Sequence, residues 1–285
     1  MHQQTLKEKL EFKGIGIHSG KQALMVINPA EENTGIVFRR VDLENKPKVK
    51  ALYSNVVDTR NSTAIGDGKG SVIATIEHVM SALYMAGIDN ALIDIDRMEV
   101  PIMDSSAREF FAALENAEKV TQNAPRAYLK IKKEIRFEDK NGNFVELLPN
   151  PALKIDFTIE FPSKIVGRQN FSAEIEKDLF AKEIAFCRTF CEKNQVEQLQ
   201  AMGLIKGGSL ENAVVLDGDR ILNPEGLRHE RECVNHKVLD AIGDLYTSGC
   251  RVLGELKAYR TGHFHTNELL KKIFADASNY EIIQG

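Results

Sequence analysis

Several features that mark other protein classes are missing from this chain. It has no tryptophan, and none of its apolar runs approaches the ~20 residues that cross a bilayer. Residues 1–9 hold no apolar signal core. The four cysteines do not form the paired C-x-x-C clusters of a structural zinc module; they are Cys187, Cys191, Cys233 and Cys250. We therefore expect a cytoplasmic protein with reduced thiols and no transmembrane segment.

An excess of positive charge is also missing. The 37 Lys and Arg residues are outnumbered by 41 Asp and Glu, which gives a formal net charge of -4 and a pI near 6.0. Because nucleic-acid affinity depends on clustered Lys and Arg, we do not expect a nucleic-acid partner. With 43% hydrophobic residues the chain can bury a core without a structural metal, so any metal is free to be catalytic.

The length of 285 residues predicts two medium domains better than one. Residues 115–128 have a polar middle and a proline that stops the preceding helical pattern. The sequence therefore predicts a first domain over residues 1–122 and a second over residues 123–285.

The two halves share one pattern of predicted elements. Helical spacing of apolar residues predicts helices over 75–86, 107–117, 234–247 and 267–275. Strands are predicted over 91–95, 154–161 and 252–259, with a hairpin over 132–149 that turns at Asn141 and Gly142. The predicted fold class is α+β, with two similar domains in which a β-sheet packs on two helices. Stacking of the helices of the two domains would leave the active site between them.

One predicted helix carries three titratable residues on a single face. His236, Asp240 and Asp244 follow one another at four-residue steps, so each lies only ~40° around the axis from the last. A buried carboxylate needs a partner, and a divalent metal would satisfy His236 and Asp240 together. The alternative is an ordinary ion pair of His and Asp on a surface helix.

The matching helix of the first half carries Glu77 and His78. Pseudo-symmetric packing would bring His78 to His236 and Asp240, a set of three ligands that leaves a fourth position for water, as in hydrolytic zinc sites. Glu77 could then take the proton of that water as general base.

Two more residues are candidates for acid and oxyanion chemistry. His263 follows a glycine, where a charged imidazole held by Asp244 could protonate a leaving amine. The Thr189 hydroxyl could donate to a developing oxyanion. The alternatives are a loop histidine and a threonine without a catalytic role.

Eight segments, in their order and spacing, resemble the UDP-3-O-acyl-N-acetylglucosamine deacetylase family, zinc enzymes of lipid A biosynthesis. They are GIGIHSG at 14–20, TIEHVMSAL at 75–83, GIDN at 87–90, VPIMDSS at 100–106, CRTF at 187–190, KGGSL at 206–210, NHKVLDAIGD at 235–244 and GH at 262–263. The resemblance runs over nearly the whole chain. It implies two similar α+β domains with the site between them, and hydrolysis of an N-acetyl group from an acylated UDP-sugar as the committed step of lipid A biosynthesis.

The resemblance also implies a role for each site residue. It implies that His78, His236 and Asp240 are Zn²⁺ ligands, that Glu77 is the general base and that His263 is the general acid. Asp244 is implied as the partner of His263, and Thr189 as the oxyanion donor. Substrate contacts are implied for Lys237 and Arg260 at the diphosphate, Phe161 near the uracil, and Ile205 with Leu204, Ile165 and Val166 along an acyl passage that includes an insert at 162–170.

Two segments depart from the family pattern as we expect it. Residues 60–63, Arg-Asn-Ser-Thr, are more polar than an acyl-facing wall should be. The stretch from Cys187 to Cys191 resembles the variant found where this enzyme is fused to an acyl-carrier-protein dehydratase.

Two other functions stay open from the sequence. A zinc amidase for another N-acetylated nucleotide sugar would keep the metal set but lose Lys237, Phe161 and the acyl wall. A non-catalytic nucleotide-sugar-binding protein would not need both a base and an acid. Iron(II) would accept the same ligands as zinc.

Overall fold

The computed structural model describes residues 1–201 and 203–285, without the side chains of residues 197, 199 and 200. The first half contains two helices, α1 (Glu77–Ala86) and α2 (Arg108–Asn116), and a turn of 3-10 helix at Tyr53–Asn55. Its strands are β1 (His2–Leu6), β2 (Leu10–Ile15), β3 (Gln22–Pro29), β4 (Ile36–Arg40), β5 (Lys48–Lys50), β6 (Val56–Asp58), β7 (Ala64–Gly66), β8 (Val72–Ile73), β9 (Ala91–Ile95) and β10 (Lys119–Pro125).

In the described part of the second half there are four helices, α3 (Lys177–Leu179), α4 (Lys193–Ala201), α5 (Glu232–Tyr246) and α6 (His263–Phe274). A π turn at Phe180–Ile184 and a 3-10 turn at Ala277–Asn279 complete its helical segments. Its strands are β11 (Ala127–Ile131), β12 (Ile135–Glu138), β13 (Phe144–Leu148), β14 (Leu153–Glu160), β15 (Arg168–Glu174), β16 (Phe190–Glu192), β17 (Val214–Asp217), β18 (Arg220–Ile221), β19 (Arg251–Tyr259) and β20 (Tyr280–Gln284).

Each half is built on one large mixed sheet. The first sheet has the order β2-β3-β9-β4-β5, and β9 lies parallel to β4 and antiparallel to β3. The second sheet is centred on β19, which pairs with β13, with β11 and with β14. Strand β14 alternates buried and half-buried residues, so one face of this sheet is turned to the core. Smaller sheets are formed by β1 with β10, by β6 to β8 and by β16 to β18.

Helices α1 and α5 lie at the centre of the molecule and pack against each other. Every residue of α1 is buried, as is every residue of α5 except Lys237. Helix α1 ends where Gly87 adopts a left-handed conformation (φ 83°) and donates its N–H to the last carbonyls of the helix. One contiguous apolar core extends through both halves.

The α+β class with two similar halves is confirmed, and the predicted strand over 91–95 coincides with β9. Three of the four predicted helices lie within two residues of the observed ends, but the predicted helix over 267–275 starts too late. Helix α6 already begins at His263, because the Gly262 carbonyl accepts the N–H groups of His265 and Thr266.

The proposed division at residues 122 and 123 stays a prediction. Strand β10 continues to Pro125 and pairs with β1, whereas β11 starts at Ala127 and pairs with β19 and β20. Across the described residues, no helix is both long enough and apolar enough to cross a membrane.

Candidate active site

The site is built where α1 and α5 approach each other most closely. Gly243 of α5 faces the backbone of Glu77, the first residue of α1: a Cβ added to Gly243 would lie 2.0 Å from the Glu77 carbonyl oxygen. Only a glycine allows this contact. The side chains that flank it on both helices are therefore brought into one small region.

Three of these side chains form a cluster with the chemistry of a metal site. One ligand atom from each of His78, His236 and Asp240 lies within 4.8 Å of the others. The Nε2 atoms of His78 and His236 lie 3.5 and 3.4 Å from Asp240 Oδ1, and all three residues are buried. Asp240 Oδ1 has no hydrogen-bond partner among the described protein atoms, which is costly for a buried carboxylate oxygen.

Contacts around the cluster orient its members and fix their charge. The backbone carbonyl of Cys187 accepts a hydrogen bond from His236 Nδ1 at 3.0 Å, which turns Nε2 toward Asp240. Burial lowers the pKa of His236 to about 3, so its imidazole is neutral, as a metal ligand must be. Burial opposes ionisation of Asp240, but the Lys237 ammonium, which donates to Oδ2 at 2.8 Å, holds the pKa of that carboxyl well below its usual range.

A second group of side chains lies beside this cluster. His263, the first residue of α6, donates from Nδ1 to Asp244 Oδ2 at 2.8 Å, and its Nε2 lies 3.9 Å from Glu77 Oε1. Glu77 and Asp244 are joined through Thr63, whose N–H donates to Glu77 Oε2 at 3.0 Å and whose hydroxyl donates to Asp244 Oδ1 at 2.6 Å. A carboxylate and an imidazole thus face each other next to the three potential ligands.

The pKa values of Glu77 and His263 are both raised, for different physical reasons. Burial raises the pKa of Glu77, although the neighbouring His263 and His78 imidazoles oppose this shift. Burial alone would lower the pKa of His263, but the Asp244 carboxylate that accepts its proton, together with Glu77, raises this pKa to about 9. His263 is therefore cationic at neutral pH and able to donate a proton.

The three-residue cluster, Glu77 and His263 all face a cavity of about 600 Å³ that reaches from the cluster to the protein surface. The cavity is also lined by Thr189, the expected oxyanion donor, and by Lys237 and Ile205, which are expected to contact substrate. The remaining wall is mostly apolar and includes Phe190, Val196, Leu210, Val215 and Leu222. Leu210 and Leu222 are 39% and 36% exposed, so the apolar wall continues to solvent.

Other sequence-assigned residues lie outside this lining, as far as the described residues define it. Phe161 packs edge-on against Phe190, which does line the cavity, with ring centroids 5.1 Å apart. Arg260 is half-exposed with its guanidinium 4.0 Å from Glu160. Val166 is buried in the core, with Ile165 packed against that core, and Leu204 is half-buried. Their proposed contacts with substrate stay predictions.

The glycine-rich turn at residues 14–20 forms part of the cavity roof. The buried Glu99 carboxylate accepts the backbone N–H groups of His18 and Ser19 at 2.8 and 2.9 Å. The turn meets the 205–208 loop of the other half, since Lys206 and Gly207 donate their N–H groups to the carbonyls of His18 and Ile17. The sequence motif predicts the turn but not its contact with Glu99, which lies 80 residues from Ser19 in the chain.

Thr63 contacts Glu77 and Asp244, which the sequence does not predict. The sequence predicts that residues 60–63 lie near the acyl-facing wall, and Asn61 does line the cavity. Thr63, however, is turned inward to Glu77 and Asp244. A polar run between strands carries no signal of this, because the contact depends on tertiary packing.

Comparison with known proteins agrees with this geometry. A family model described as UDP-3-O-acyl N-acetylglycosamine deacetylase matches residues 3–275. Three similar curated relatives are each named UDP-3-O-acyl-N-acetylglucosamine deacetylase. The protein of Syntrophotalea carbinolica is 43% identical over 285 residues, covering 100% of this chain and 92% of the relative. Those of Photobacterium profundum and Shewanella violacea are 42% and 44% identical over 283 residues, covering 99% of this chain and 93% and 92% of the relatives.

Proposed function

Because this chain belongs to the UDP-3-O-acyl N-acetylglycosamine deacetylase family, we propose that it hydrolyses the N-acetyl group of UDP-3-O-(3-hydroxyacyl)-N-acetylglucosamine. The products are acetate and the free 2-amine, and the reaction is the committed step of lipid A biosynthesis. One observation carries the proposal: a buried His-His-Asp cluster lines an apolar-walled cavity beside a carboxylate and a cationic imidazole. The substrate is a small molecule with an acyl chain, which suits such a cavity.

Zinc is the metal that we propose for His78, His236 and Asp240. Two neutral imidazoles and a carboxylate form a donor set that zinc accepts, and the unpartnered Asp240 Oδ1 fits a cation between the helices. When bound there, zinc would act as a Lewis acid on the acetamide carbonyl and would lower the pKa of a water toward ~7. Metal analysis of protein prepared without chelators separates zinc from iron(II).

Glu77 and His263 divide the proton transfers in this proposal. Glu77 Oε2 is held by the Thr63 N–H, so Oε1 is the oxygen directed at the reaction space. We assign Glu77 as the base that takes a proton from the attacking water. His263 keeps a proton on Nδ1 through Asp244 and carries the transferable proton on Nε2, from which it protonates the leaving nitrogen.

The remaining assignments concern substrate binding. Thr189 has its backbone held by Ser105 and Val214, and its side chain lines the cavity, where we propose that the hydroxyl donates to the carbonyl oxygen as charge develops. We propose that Lys237 meets the diphosphate and that Ile205 lines the acyl passage. Phe161 and Arg260 are proposed at the uracil and the diphosphate respectively.

The same proposal places the reaction in the cytoplasm. All four cysteines are free thiols, Cys187 and Cys233 being buried, and free thiols persist in a reducing compartment.

One assay decides among the three functions considered. Release of acetate is measured with UDP-N-acetylglucosamine and with its 3-O-(3-hydroxyacyl) derivative. The proposal expects strong preference for the acylated substrate. Equal turnover of both would favour an amidase for another nucleotide sugar, and binding without acetate release would favour a non-catalytic protein.

Glu77→Gln is expected to retain the metal and to lose most of the turnover. Glutamine keeps the size of the side chain but cannot accept the proton, so kcat should fall by ~10²- to 10⁴-fold. Metal content and acetate release are measured on the same preparation. Loss of metal in this variant would make Glu77 a ligand, and unchanged kcat would remove it from the acid–base pair.

The pH dependence of kcat/KM is expected to have a basic limb near pH 9. His263 donates only when protonated, and its pKa is raised to about 9, so the proton donor is fully present below that pH and activity falls as pH rises through it. The acidic limb requires ionised Glu77, whose pKa is raised by burial, so it should lie above the usual range of a carboxyl. His263→Gln should lose the basic limb and keep the metal; a limb unchanged in that variant would assign the acid elsewhere.

A further inference from the structure

Thr63 occupies a position between the two proposed proton carriers. It is only 3% exposed and precedes β7 in the first half. It donates two hydrogen bonds, to residues 14 and 181 positions away in the chain, Glu77 and Asp244. One residue thus contacts the base directly and the acid His263 through one intermediate.

We propose that Thr63 is a positioning residue of the acid–base pair, acting on His263 through the Asp244 carboxylate and on Glu77 through its own N–H; the inference rests on the proposed function. The two contacts use different parts of the residue. The N–H that holds Glu77 belongs to the backbone and survives a side-chain change. The hydroxyl that holds Asp244 does not, so substitution separates the two actions.

The hydroxyl controls how the Asp244 carboxylate shares its charge. Oδ2 accepts from His263 at 2.8 Å and Oδ1 accepts from Thr63 at 2.6 Å, a short bond to a charged acceptor. The Thr63 donor draws negative charge toward Oδ1. Without it, more of that charge is left facing the imidazolium, which then binds its proton more tightly and is a weaker acid.

The carboxylate would also lose its orientation. With Oδ1 held, the carboxylate plane is fixed and Oδ2 stays on the Nδ1 side of His263, which keeps the tautomer that leaves Nε2 for the substrate. A residue in this role changes proton transfer more than substrate binding. The expected signature is a fall in kcat with little change in KM.

Of the charged groups around His263, the Thr63 hydroxyl contacts Asp244. Three carboxylates face this imidazole: Asp244, Asp240 and Glu77. The strands β12 and β13 also pack on α6, and their charged side chains bond to one another, Arg136 with Glu138 and Glu146. The turn at Tyr53–Asn55 contacts the far end of α6, where Tyr53 stacks on Phe274. Loss of the hydroxyl therefore changes one of these contacts.

The test compares Thr63→Val with Thr63→Ser. Valine keeps the shape of the side chain and the backbone N–H but removes the donor, whereas serine keeps the donor. In metal-loaded protein, the titration of the His263 imidazole is followed by ¹H–¹⁵N NMR and assigned by its absence in His263→Gln. We expect the midpoint to rise by about one pH unit in Thr63→Val, as for loss of one hydrogen bond to a charged group, and to stay at the parent value in Thr63→Ser.

Activity provides the second readout. In Thr63→Val we expect kcat to fall by ~10-fold at constant KM, with the basic limb displaced in the same direction as the NMR midpoint. Thr63→Ala replaces the valine variant if the latter does not fold. An unchanged midpoint without the hydroxyl, or an equal rise in Thr63→Ser, overturns the inference. A parent protein that releases no acetate overturns the proposed function instead, since the NMR titration does not depend on turnover.

Discussion

Replacing His236 by alanine is expected to remove the metal and nearly all hydrolysis. The residue is 1% exposed, and its Nε2 is one of three donors that converge within 4.8 Å. The two remaining donors cannot match the affinity of three. Loss of a residue that only hydrogen-bonds to a metal ligand lowers metal affinity or activity by ~10- to 100-fold. Loss of the ligand itself should therefore lower them by more than ~100-fold.

The measurement is elemental analysis and acetate release on one preparation, with His229→Ala as the matched control. His229 is a half-buried histidine whose ring packs near Phe186, outside the cluster, so its removal should leave metal content unchanged. One metal ion per chain retained in His236→Ala would reject His236 as a ligand. Equal metal loss in both variants would indicate a general effect on folding.

Gly243→Ala is expected to be the second large loss, although alanine is the better helix former by ~1 kcal/mol. The new Cβ would lie 2.0 Å from the Glu77 carbonyl oxygen and 2.8 Å from its carbon. These are backbone atoms of the facing helix, which cannot rotate away as a side chain would. Helices α1 and α5 must separate, at a cost in unfolding free energy at or above the ~3 kcal/mol upper end of ordinary overpacking.

The same separation moves His78 away from His236 and Asp240, so metal affinity should fall together with stability. Thermal unfolding and metal titration measure the two effects. Gly262→Ala is the matched control, because a Cβ at Gly262 meets nothing within 4 Å and its φ of -154° suits any residue. A Gly243→Ala protein that melts with the parent and binds metal normally would show that the two helices are free to move apart.

The parts of this site that the sequence predicts are those that follow from local repetition. His236 and Asp240 share a helical face because of their four-residue spacing alone, and the same reasoning placed Asp244 on that face. In the structure, His236 and Asp240 lie together with His78. Strand β9 and the ends of α1 followed from apolar periodicity and from Gly87.

The parts that could not be predicted depend on residues far apart in the chain. Thr63 and Glu99 act through contacts to backbone and carboxylate groups that only the packed fold defines. The helical pattern of the sequence does not show that position 243 requires glycine, because glycine inside a helix is otherwise only destabilising. The predicted contacts of Phe161 and Arg260 with substrate depend on loops at strand ends, whose course carries no periodic signal in the sequence.

The contact between α1 and α5 also bears on how this protein can change over generations. The proposed base and one proposed ligand lie in the first half, the proposed acid and the other two ligands lie in the second, and Gly243 faces the backbone carbonyl of Glu77 between them. Substitutions on one helix therefore change the packing of the other. The free-energy effects of substitutions at such contacting sites are not additive. We expect residues along the contact between α1 and α5 to be substituted in matched pairs during evolution. Positions elsewhere, in the two large sheets, should be substituted one at a time.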